Sequence, residues 1–243
     1  METAGRIALV TGGAHRVGRA ISTALADAGM RVAINYNSAA AEANSLVAYL
    51  TARGHDCRAY QADLTQPDSP ESLVGSVTRD FGGLDVLVNS AAMMQRTPMG
   101  EVSIGEWDAM FALNLRAPFF LSQAAAPWLR AANGSIVNLA DLAAFETWPG
   151  YVPHSISKAG IVQMTRALAR VLAPEVRVNA IAPGAVLLPD SWDAETRTHF
   201  ASTTPLRRVG SPADVVEALM YLLRADYVTG DTLLVDGGRH VRT

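Results

Sequence analysis

The sequence predicts an α/β fold, with a doubly wound seven-stranded parallel sheet and helices on both faces. Seven short apolar runs alternate with longer amphipathic segments along the 243 residues. The runs lack polar–apolar alternation, which is typical of parallel strands covered on both faces, and right-handed crossovers then produce a doubly wound sheet. The predicted strands are Ile7–Val10, Val32–Asn35, Cys57–Ala62, Asp85–Asn89, Ser135–Leu139, Arg177–Ala182 and Thr232–Val235.

The segments between these strands carry helix signals. From Val17 onward the first segment repeats apolar residues at i, i+3, i+4 and i+7. Gly29 and Gly54 are expected to end the first two helices, since glycine readily adopts the backbone conformation of a helix C-terminus. The run Ser211–Asp214 offers a capping hydroxyl, a first-turn proline and an acidic residue, so it predicts a helix start.

The chain reads as one domain spanning residues 1–243. It has no linker, repeat or low-complexity tract, and its length suits a single two-sided sheet core. One irregular stretch, residues 185–208, follows the sixth predicted strand. Long inserts at that end of an open α/β sheet commonly cover the ligand crevice, so we predict a substrate loop there. The alternative is a tolerated surface loop.

Composition narrows the function classes. The net charge is −3, from 20 basic and 23 acidic residues, and no Lys/Arg stripe predicts nucleic-acid binding. The single cysteine, Cys57, has no partner within the chain, and no Cys/His spacing suggests a metal site. The N-terminus runs directly into a predicted strand, and no apolar stretch reaches membrane-spanning length. We therefore expect a cytoplasmic protein without metal, membrane or nucleic-acid partners.

A glycine-rich turn joins the first strand to the first helix. It reads Thr-Gly-Gly-Ala-His-Arg-Val-Gly over residues 11–18. Glycines at such a turn let backbone N–H groups approach a pyrophosphate, and the helix N-terminus adds partial positive charge. The position of the turn within a βαβ unit predicts dinucleotide binding.

This turn resembles the TGxxxGxG element of the short-chain dehydrogenase/reductase family. Arg16 stands where the middle glycine is usual, which resembles the TGxxxRxG loop of the pteridine reductase branch. The stretches 35–43 and 117–121, with Asn114 between them, are also similar to that branch. The resemblance covers essentially the whole chain, to Val-Asp-Gly-Gly at 235–238. It implies a Rossmann fold and a nicotinamide-dependent oxidoreductase.

The choice of dinucleotide follows from charge. NAD enzymes of this type carry an acid at the end of the second strand to hold the ribose diol. Here residues 35–38 are Asn35, Tyr36, Asn37 and Ser38, and His15 and Arg16 lie in the facing loop. A 2′-phosphate would meet donors instead of a carboxylate, which favours NADPH over NADH. The pteridine reductase branch carries an arginine where this chain has Ser38.

The resemblance also implies further cofactor contacts. The threonine usual four residues after Gly184 is Leu188 here, which removes one contact. A second interpretation of Asp63 and Asn89, compatible with the first, is that their side chains brace the strands. The other implied contacts to NADP(H) come from Gly12, Val17, Gly18, Asp63, Leu64, Asn89, Ser90, Ala91, Lys158, Pro183, Gly184 and Val186.

The catalytic pattern of the family is Asn, Ser, Tyr and Lys. Asn114 and Lys158 match it, but His154 stands four residues before Lys158 in place of the tyrosine. Asp141 replaces the serine, as in the pteridine reductases, where it helps to protonate a pterin ring nitrogen. We hypothesise that His154 is the acid and that Asp141 supports it, because imidazole titrates near neutrality. Tyr151 is a weaker substitute. The alternative is a degenerate site that binds NADPH without turnover, as in a redox sensor.

The substrate is expected to lie among apolar and aromatic side chains near the catalytic residues. A pteridine-like ring fits Asp141 best, and the second candidate substrate is a carbonyl compound, including a 3-oxoacyl group. The excess of apolar residues around 107–130 and 154–172 predicts pairing of subunits into a homotetramer. The residues predicted to contact the small-molecule substrate are Arg16, Met94, Asp141, Trp148, Leu188 and Trp192.

Overall fold

The computed structural model of the chain describes residues 1–188 and 192–241. A seven-stranded parallel sheet forms its centre, with strand order β3-β2-β1-β4-β5-β6-β7. The predicted fold class and all seven predicted strands are confirmed, with ends that differ by at most one residue. The strands are β1 Ile7–Val10, β2 Arg31–Tyr36, β3 Cys57–Gln61, β4 Val86–Asn89, β5 Ser135–Leu139, β6 Arg177–Pro183 and β7 Thr232–Val235.

Asp85 was predicted as the first residue of the fourth strand but precedes it. Its side chain accepts a hydrogen bond from the backbone N–H of Ile7 at 2.8 Å, and it also pairs with Arg6. The carboxylate therefore links the entries of two neighbouring strands at the end of the sheet opposite the glycine-rich turn.

The described part of the chain forms eight α-helices around this sheet. Helices α1, α2 and α8 pack on one face, and α3, α5 and α6 pack on the other. Nonpolar side chains bury both faces, as the unbroken apolar strands predicted. The helices are α1 Arg16–Asp27, α2 Ala40–Thr51, α3 Ser69–Phe81, α4 Ile104–Phe111, α5 Ala117–Ala131, α6 Val152–Leu172, α7 Ala194–Ser202 and α8 Pro212–Arg224.

The predicted helix boundaries hold in the structure. Gly29 and Gly54 adopt left-handed φ angles of 83° and 87° just after α1 and α2. Ser211 and Asp214 form a reciprocal capping box at the start of α8, with Pro212 in the first turn. These local signals need no tertiary context, because each satisfies the backbone groups of its own helix end.

The stretch 185–208 is less irregular than its sequence indicates. Residues 194–202 form helix α7, and the Asp193 carboxylate caps it by accepting a 2.7 Å hydrogen bond from the N–H of Thr196. The prediction missed this helix because it has no apolar stripe; none of its described side chains is fully buried. Residues 189–191 of the predicted loop lie outside the described residues.

The structure describes the surroundings of the single cysteine and bears on membrane-spanning helices and metal ligands. Cys57 is buried in β3, and its desolvation raises the pKa of the thiol to about 11. Among the described residues no helix is long and apolar enough to cross a membrane, and no cluster of side chains could hold a metal ion.

Candidate active site

A cavity of about 1030 Å³ opens at the carboxyl ends of the central strands. It lies where the strand order reverses, between β1 and β4, the usual crevice for ligands in an open α/β sheet. A second cavity of about 410 Å³, between α1 and α8, lies away from the predicted catalytic residues. Predicted residues on the wall of the large cavity are Gly12, His15, Arg16, Val17, Gly18, Asn35, Asn37, Asp63, Leu64, Ser90, Ala91, Met94, Asp141, Trp148, His154, Lys158, Pro183, Gly184, Val186, Leu188 and Trp192.

The glycine-rich turn is shaped so that a ligand can approach its backbone. Gly12 has a φ of 61°, and a Cβ there would lie 3.0 Å from the Cα of Ala91. A Cβ on Gly18 would lie 2.2 Å from the Gly12 oxygen, so only glycine fits. Arg16, the first residue of α1, has a left-handed φ of 48°, which is unusual for a residue other than glycine. This cradle fits a dinucleotide pyrophosphate.

The end of β2 carries no acidic side chain toward the cavity. Asn35 is buried and braces the turn, since its Oδ1 accepts from the Gly12 N–H at 3.4 Å and its Nδ2 donates to the Ala62 oxygen at 3.2 Å. Asn37 reaches the cavity wall, whereas Tyr36 and Ser38, also predicted to bind the cofactor, do not line it. His15 and Arg16 of the turn and the amide-bearing Asn37 therefore line this part of the cavity.

Of two residues predicted to contact the cofactor, Asp63 lies on the cavity wall and Asn89 lies behind it. Asp63 lines the cavity, and hydrogen bonds from the side chain and backbone of Thr65 lower the pKa of its carboxyl group. Asn89 is buried behind the wall and donates a 2.8 Å hydrogen bond to Oδ1 of Asn138. Asn89 therefore braces β4 against β5, while the adjacent Ser90 faces the cavity.

Asn114 lies in a π-helical turn, residues 112–116, between α4 and α5. Its Oδ1 accepts from the backbone N–H of Met93 at 2.9 Å, and its Nδ2 donates to the Met93 oxygen at 2.9 Å. The same Nδ2 is 3.1 Å from Oγ of Ser157 on α6. Asn114 is therefore behind the cavity wall, where it holds one peptide unit of that wall in place.

Lys158 projects from α6 and is almost fully buried. Its Nζ donates a 2.7 Å hydrogen bond to the Leu139 oxygen at the end of β5. Burial lowers the pKa of the ammonium group to about 8, and the charge of Asp141 acts in the opposite direction. A cation at this depth suits the hydroxyl groups of a bound ribose.

His154 and Asp141 lie side by side as a pair at the same wall. The Nδ1 atom of His154 is 3.2 Å from the Met93 oxygen, and its Nε2 is 3.6 Å from Oδ2 of Asp141. Oδ1 of Asp141 accepts from the N–H of Ala143 at 2.8 Å. The two side chains differ in access, because that of His154 is 2% exposed and that of Asp141 is 25% exposed.

The far end of the cavity is aromatic and includes residues that sequence reasoning missed. Trp192 and Phe200 of α7 lie with ring centroids 5.4 Å apart, and the Arg239 guanidinium is 4.0 Å from the centroid of Phe200. Trp148 meets Tyr151 edge to face at 6.1 Å. No sequence signal marks Phe200, since α7 itself was not predicted. The missed residues on this wall are Arg96, Leu142, Phe200 and Arg239.

Comparison with known proteins identifies the family. The model of the enoyl-(acyl carrier protein) reductase family matches residues 12–240. The chain belongs to the short-chain dehydrogenase/reductase family. A 3-oxoacyl-[acyl-carrier-protein] reductase, FabG of Staphylococcus aureus, is 34% identical to it over 240 residues, covering 96% of this chain and 98% of FabG.

Two solved structures of the family are similar over nearly their whole length. FolM alternative dihydrofolate reductase 1 from Brucella canis, complexed with NADP, has a TM-score of 0.93 and 32% identity, covering 100% of this chain and 96% of FolM. A blue fluorescent protein from a metagenomic library, complexed with NADPH, has a TM-score of 0.92 and 32% identity, with coverage of 98% and 99%. The chain is thus an NADP(H)-dependent oxidoreductase of the short-chain dehydrogenase/reductase family, as its sequence predicted.

Proposed function

We propose that this short-chain dehydrogenase/reductase is an NADPH-dependent reductase of a C=N bond in a pteridine-like ring. The observation that carries the proposal is the carboxyl group of Asp141, which faces the cavity beside His154. Reducing a C=N bond requires a proton on nitrogen, and a carboxyl group can also accept a hydrogen bond from a neighbouring ring N–H or amino group.

The residues around the turn fit the cofactor that this reaction requires. Gly12, Gly18 and the start of α1 would hold the pyrophosphate, Arg16 and Asn37 would meet the 2′-phosphate, and Lys158 would hold the nicotinamide ribose. When bound, NADPH supplies the hydride. The absence of an acid at the end of β2 favours this dinucleotide over NADH.

The far wall of the cavity supports a flat aromatic substrate. Trp148 and Trp192 present rings on the cavity wall, together with the apolar side chains of Met94 and Leu188. Flat faces of this kind suit stacking with a bicyclic ring. The similarity to FolM, whose name gives dihydrofolate as a substrate, supports the same chemical class.

A 3-oxoacyl group is the second candidate substrate. The similarity to FabG favours it, as does the family model that matches most of the chain. A ketone needs a proton donor at its oxygen, however, and the Nε2 atom of His154 is covered from solvent. The partly exposed carboxyl group of Asp141 suits a ring nitrogen better.

The test is NADPH oxidation by the purified protein with a dihydropterin, a 3-oxoacyl thioester and a panel of simple ketones. We expect turnover of the dihydropterin. Asp141→Asn, which keeps the size of the side chain, is expected to remove this turnover, whereas Asp108→Asn, an exposed change on α4, leaves it intact. Preference for the thioester would support the second candidate, and tight NADPH binding without turnover would contradict both.

We also propose that the protein assembles as a homotetramer. Helices α5 and α6 expose large apolar side chains, including Phe119, Phe120 and Trp128 on α5 and Ile156 and Val171 on α6. Such a surface is a liability in a monomer and is usual at subunit interfaces. Light scattering of the purified protein tests this, and a monomeric mass would contradict it.

A further inference from the structure

The imidazole of His154 has its two nitrogens in different surroundings. Nδ1 lies 3.2 Å from the carbonyl oxygen of Met93, which can only accept a hydrogen bond. Nδ1 must therefore carry a hydrogen. The same oxygen also accepts from Nδ2 of Asn114, and the Met93 N–H is held by Oδ1 of Asn114, so this peptide unit has a fixed orientation.

Nε2 is consequently the atom of His154 that gains and loses a proton. In the neutral ring it carries the lone pair, and it lies 3.6 Å from Oδ2 of Asp141, just beyond hydrogen-bond length. A proton on Nε2 is attracted by the negative charge of that carboxylate. The other carboxylate oxygen of Asp141 is already engaged by the Ala143 N–H, so Oδ2 is the oxygen left to share a proton with the imidazole.

Access to the cavity differs between the two groups. Nε2 of His154 is covered from solvent and has no hydrogen-bond partner among the described residues, while Asp141 is 25% exposed on the cavity wall. A substrate can therefore reach the carboxyl group but not Nε2. Asp141 is therefore the residue that meets the substrate, and His154 supports it. The sequence-based hypothesis assigns these two roles the other way round.

We infer that Asn114 and the Met93 carbonyl lock His154 in the Nδ1–H form, so that Nε2 stores a proton that Asp141 passes to the substrate. This inference rests on the proposed function and assigns its parts. Asp141 is then the catalytic acid, and His154 and Asn114 are positioning residues that act through it.

One proton of the pair reaches the substrate. It passes from Nε2 of His154 to Oδ2 of Asp141 once the 3.6 Å between them closes to hydrogen-bond length, and then from the carboxyl group to the ring nitrogen. As the ring carbon gains a hydride supplied by bound NADPH, the electrons of the C=N π bond form the N–H bond with that proton, which leaves a carboxylate and a neutral imidazole with its Nδ1–H bond to Met93 unchanged. Water reloads the pair after product leaves.

Other charged and titratable side chains face the same cavity and contribute to the electrostatic potential at His154 and Asp141. Lys158 is the nearest cation on the same helix, one turn after His154, and it opposes a second positive charge on the imidazole. The remaining titratable side chains on the wall are His15, Arg16, Asp63, Arg96, Tyr151 and Arg239.

Nitrogen-15 NMR of histidine-labelled, NADP-bound protein tests this inference without turnover. The chain has five histidines, and His154→Asn identifies the His154 signals by their loss. We expect Nδ1 to stay protonated across the pH range while Nε2 alone titrates, and Nε2 to lose its proton at lower pH in Asp141→Asn. A neutral ring protonated at Nε2, or a titration that Asp141→Asn does not move, would overturn the inference.

The role of Asn114 has its own readout. Asn114→Ser removes the amide that orients the Met93 peptide and is expected to produce a mixture of the two neutral tautomers. An unchanged nitrogen-15 spectrum of His154 would show that Asn114 does not fix the tautomer. If Asn114→Ser does not fold, the spectrum of the parent protein still decides which tautomer is present. Because the tautomer is read directly, the locked tautomer can be absent while the protein reduces a dihydropterin, and it can be present while every substrate fails, so the two failures are distinguishable.

Discussion

The Nζ atom of Lys158 donates a 2.7 Å hydrogen bond to the carbonyl oxygen of Leu139, the last residue of β5. The side chain is 4% exposed, so one hydrogen bond replaces most of the hydration shell of the ammonium group. Burial accordingly lowers its pKa from the ordinary 10.5 to about 8. Burial of this lysine, which we propose to hold the cofactor ribose, therefore has a folding cost that depends on pH.

We predict that the stability of the cofactor-free parent rises with pH relative to Lys158→Met. The unfolded chain binds the lysine proton more tightly than the folded chain, so the penalty is fully present below pH 8 and disappears as pH approaches 10.5. A shift of this size corresponds to about 3 kcal/mol. Urea unfolding of both proteins at pH 7 and pH 10 measures the change; a constant difference between them would contradict the assignment.

A pair of substitutions separates the two nitrogens of His154. His154→Asn places an amide nitrogen near the position of Nδ1 and keeps the link to Met93, whereas His154→Gln extends its amide toward Asp141. Neither stores a proton, so kcat should fall about 10²–10⁴-fold in both. KM should change little in His154→Asn. Steady-state kinetics across pH measure both parameters, and an unchanged kcat in either variant would exclude a proton-storing histidine.

Arg16 is expected to determine the preference for NADPH. Arg16→Gly removes the guanidinium and also relieves the left-handed backbone at φ 48°, so a loss of affinity cannot come from new strain. A lost charge-assisted contact of about 1.5–3 kcal/mol weakens NADPH binding roughly 10- to 100-fold, with NADH binding little changed. Fluorescence titration with both dinucleotides measures this.

Arg19→Ala is the matched control for Arg16→Gly. Arg19 is on the same helix and lines the smaller cavity between α1 and α8 but not the large one, whereas Arg16 lines both, so removal of Arg19 should leave NADPH affinity unchanged. Equal losses in the two variants would mean that the overall charge of α1 attracts the cofactor, with no specific contact from Arg16.

The capping box of α8 is expected to make stability sensitive to acid. Hydrogen bonds from Arg208, and then from Ser211, hold the pKa of the Asp214 carboxyl well below its usual range. The stabilisation is therefore present above the ordinary pKa of 3.8 and is lost as pH falls toward the folded value. Arg208 is 56% exposed, so solvent screens its share and we expect only about 1 kcal/mol from the cap.

Asp214→Asn tests this prediction. The variant should be less stable than the parent at pH 7, and the difference should shrink at pH 3, as measured by thermal or urea unfolding. Glu175→Gln, at an exposed position after α6, controls for the loss of one negative charge. If Asp214→Asn is less stable than the parent by the same amount at pH 3 as at pH 7, then a change in size or packing, and not the lost charge, causes the destabilisation.

Local sequence predicted most of the scaffold because its causes are local. Apolar runs covered on both faces gave the seven strands, Gly29 and Gly54 marked two helix ends, and Ser211 marked a helix start. Helix α7 escaped prediction because it has no buried stripe, and its cap at Asp193 resembles any polar loop. Phe200 on that helix was missed for the same reason.

The sequence by itself determined the fold, the dinucleotide turn, the acid-free end of β2 and the identity of the four residues Asn114, Asp141, His154 and Lys158. Each follows from residue type and spacing along one element or from resemblance to a family. Only the tertiary structure decided that Asn114 lies behind the wall and that Asp141 is more exposed than His154. Exposure and hydrogen-bond direction depend on how α6, β5 and the π-helical turn pack together, and no spacing within one segment records that packing.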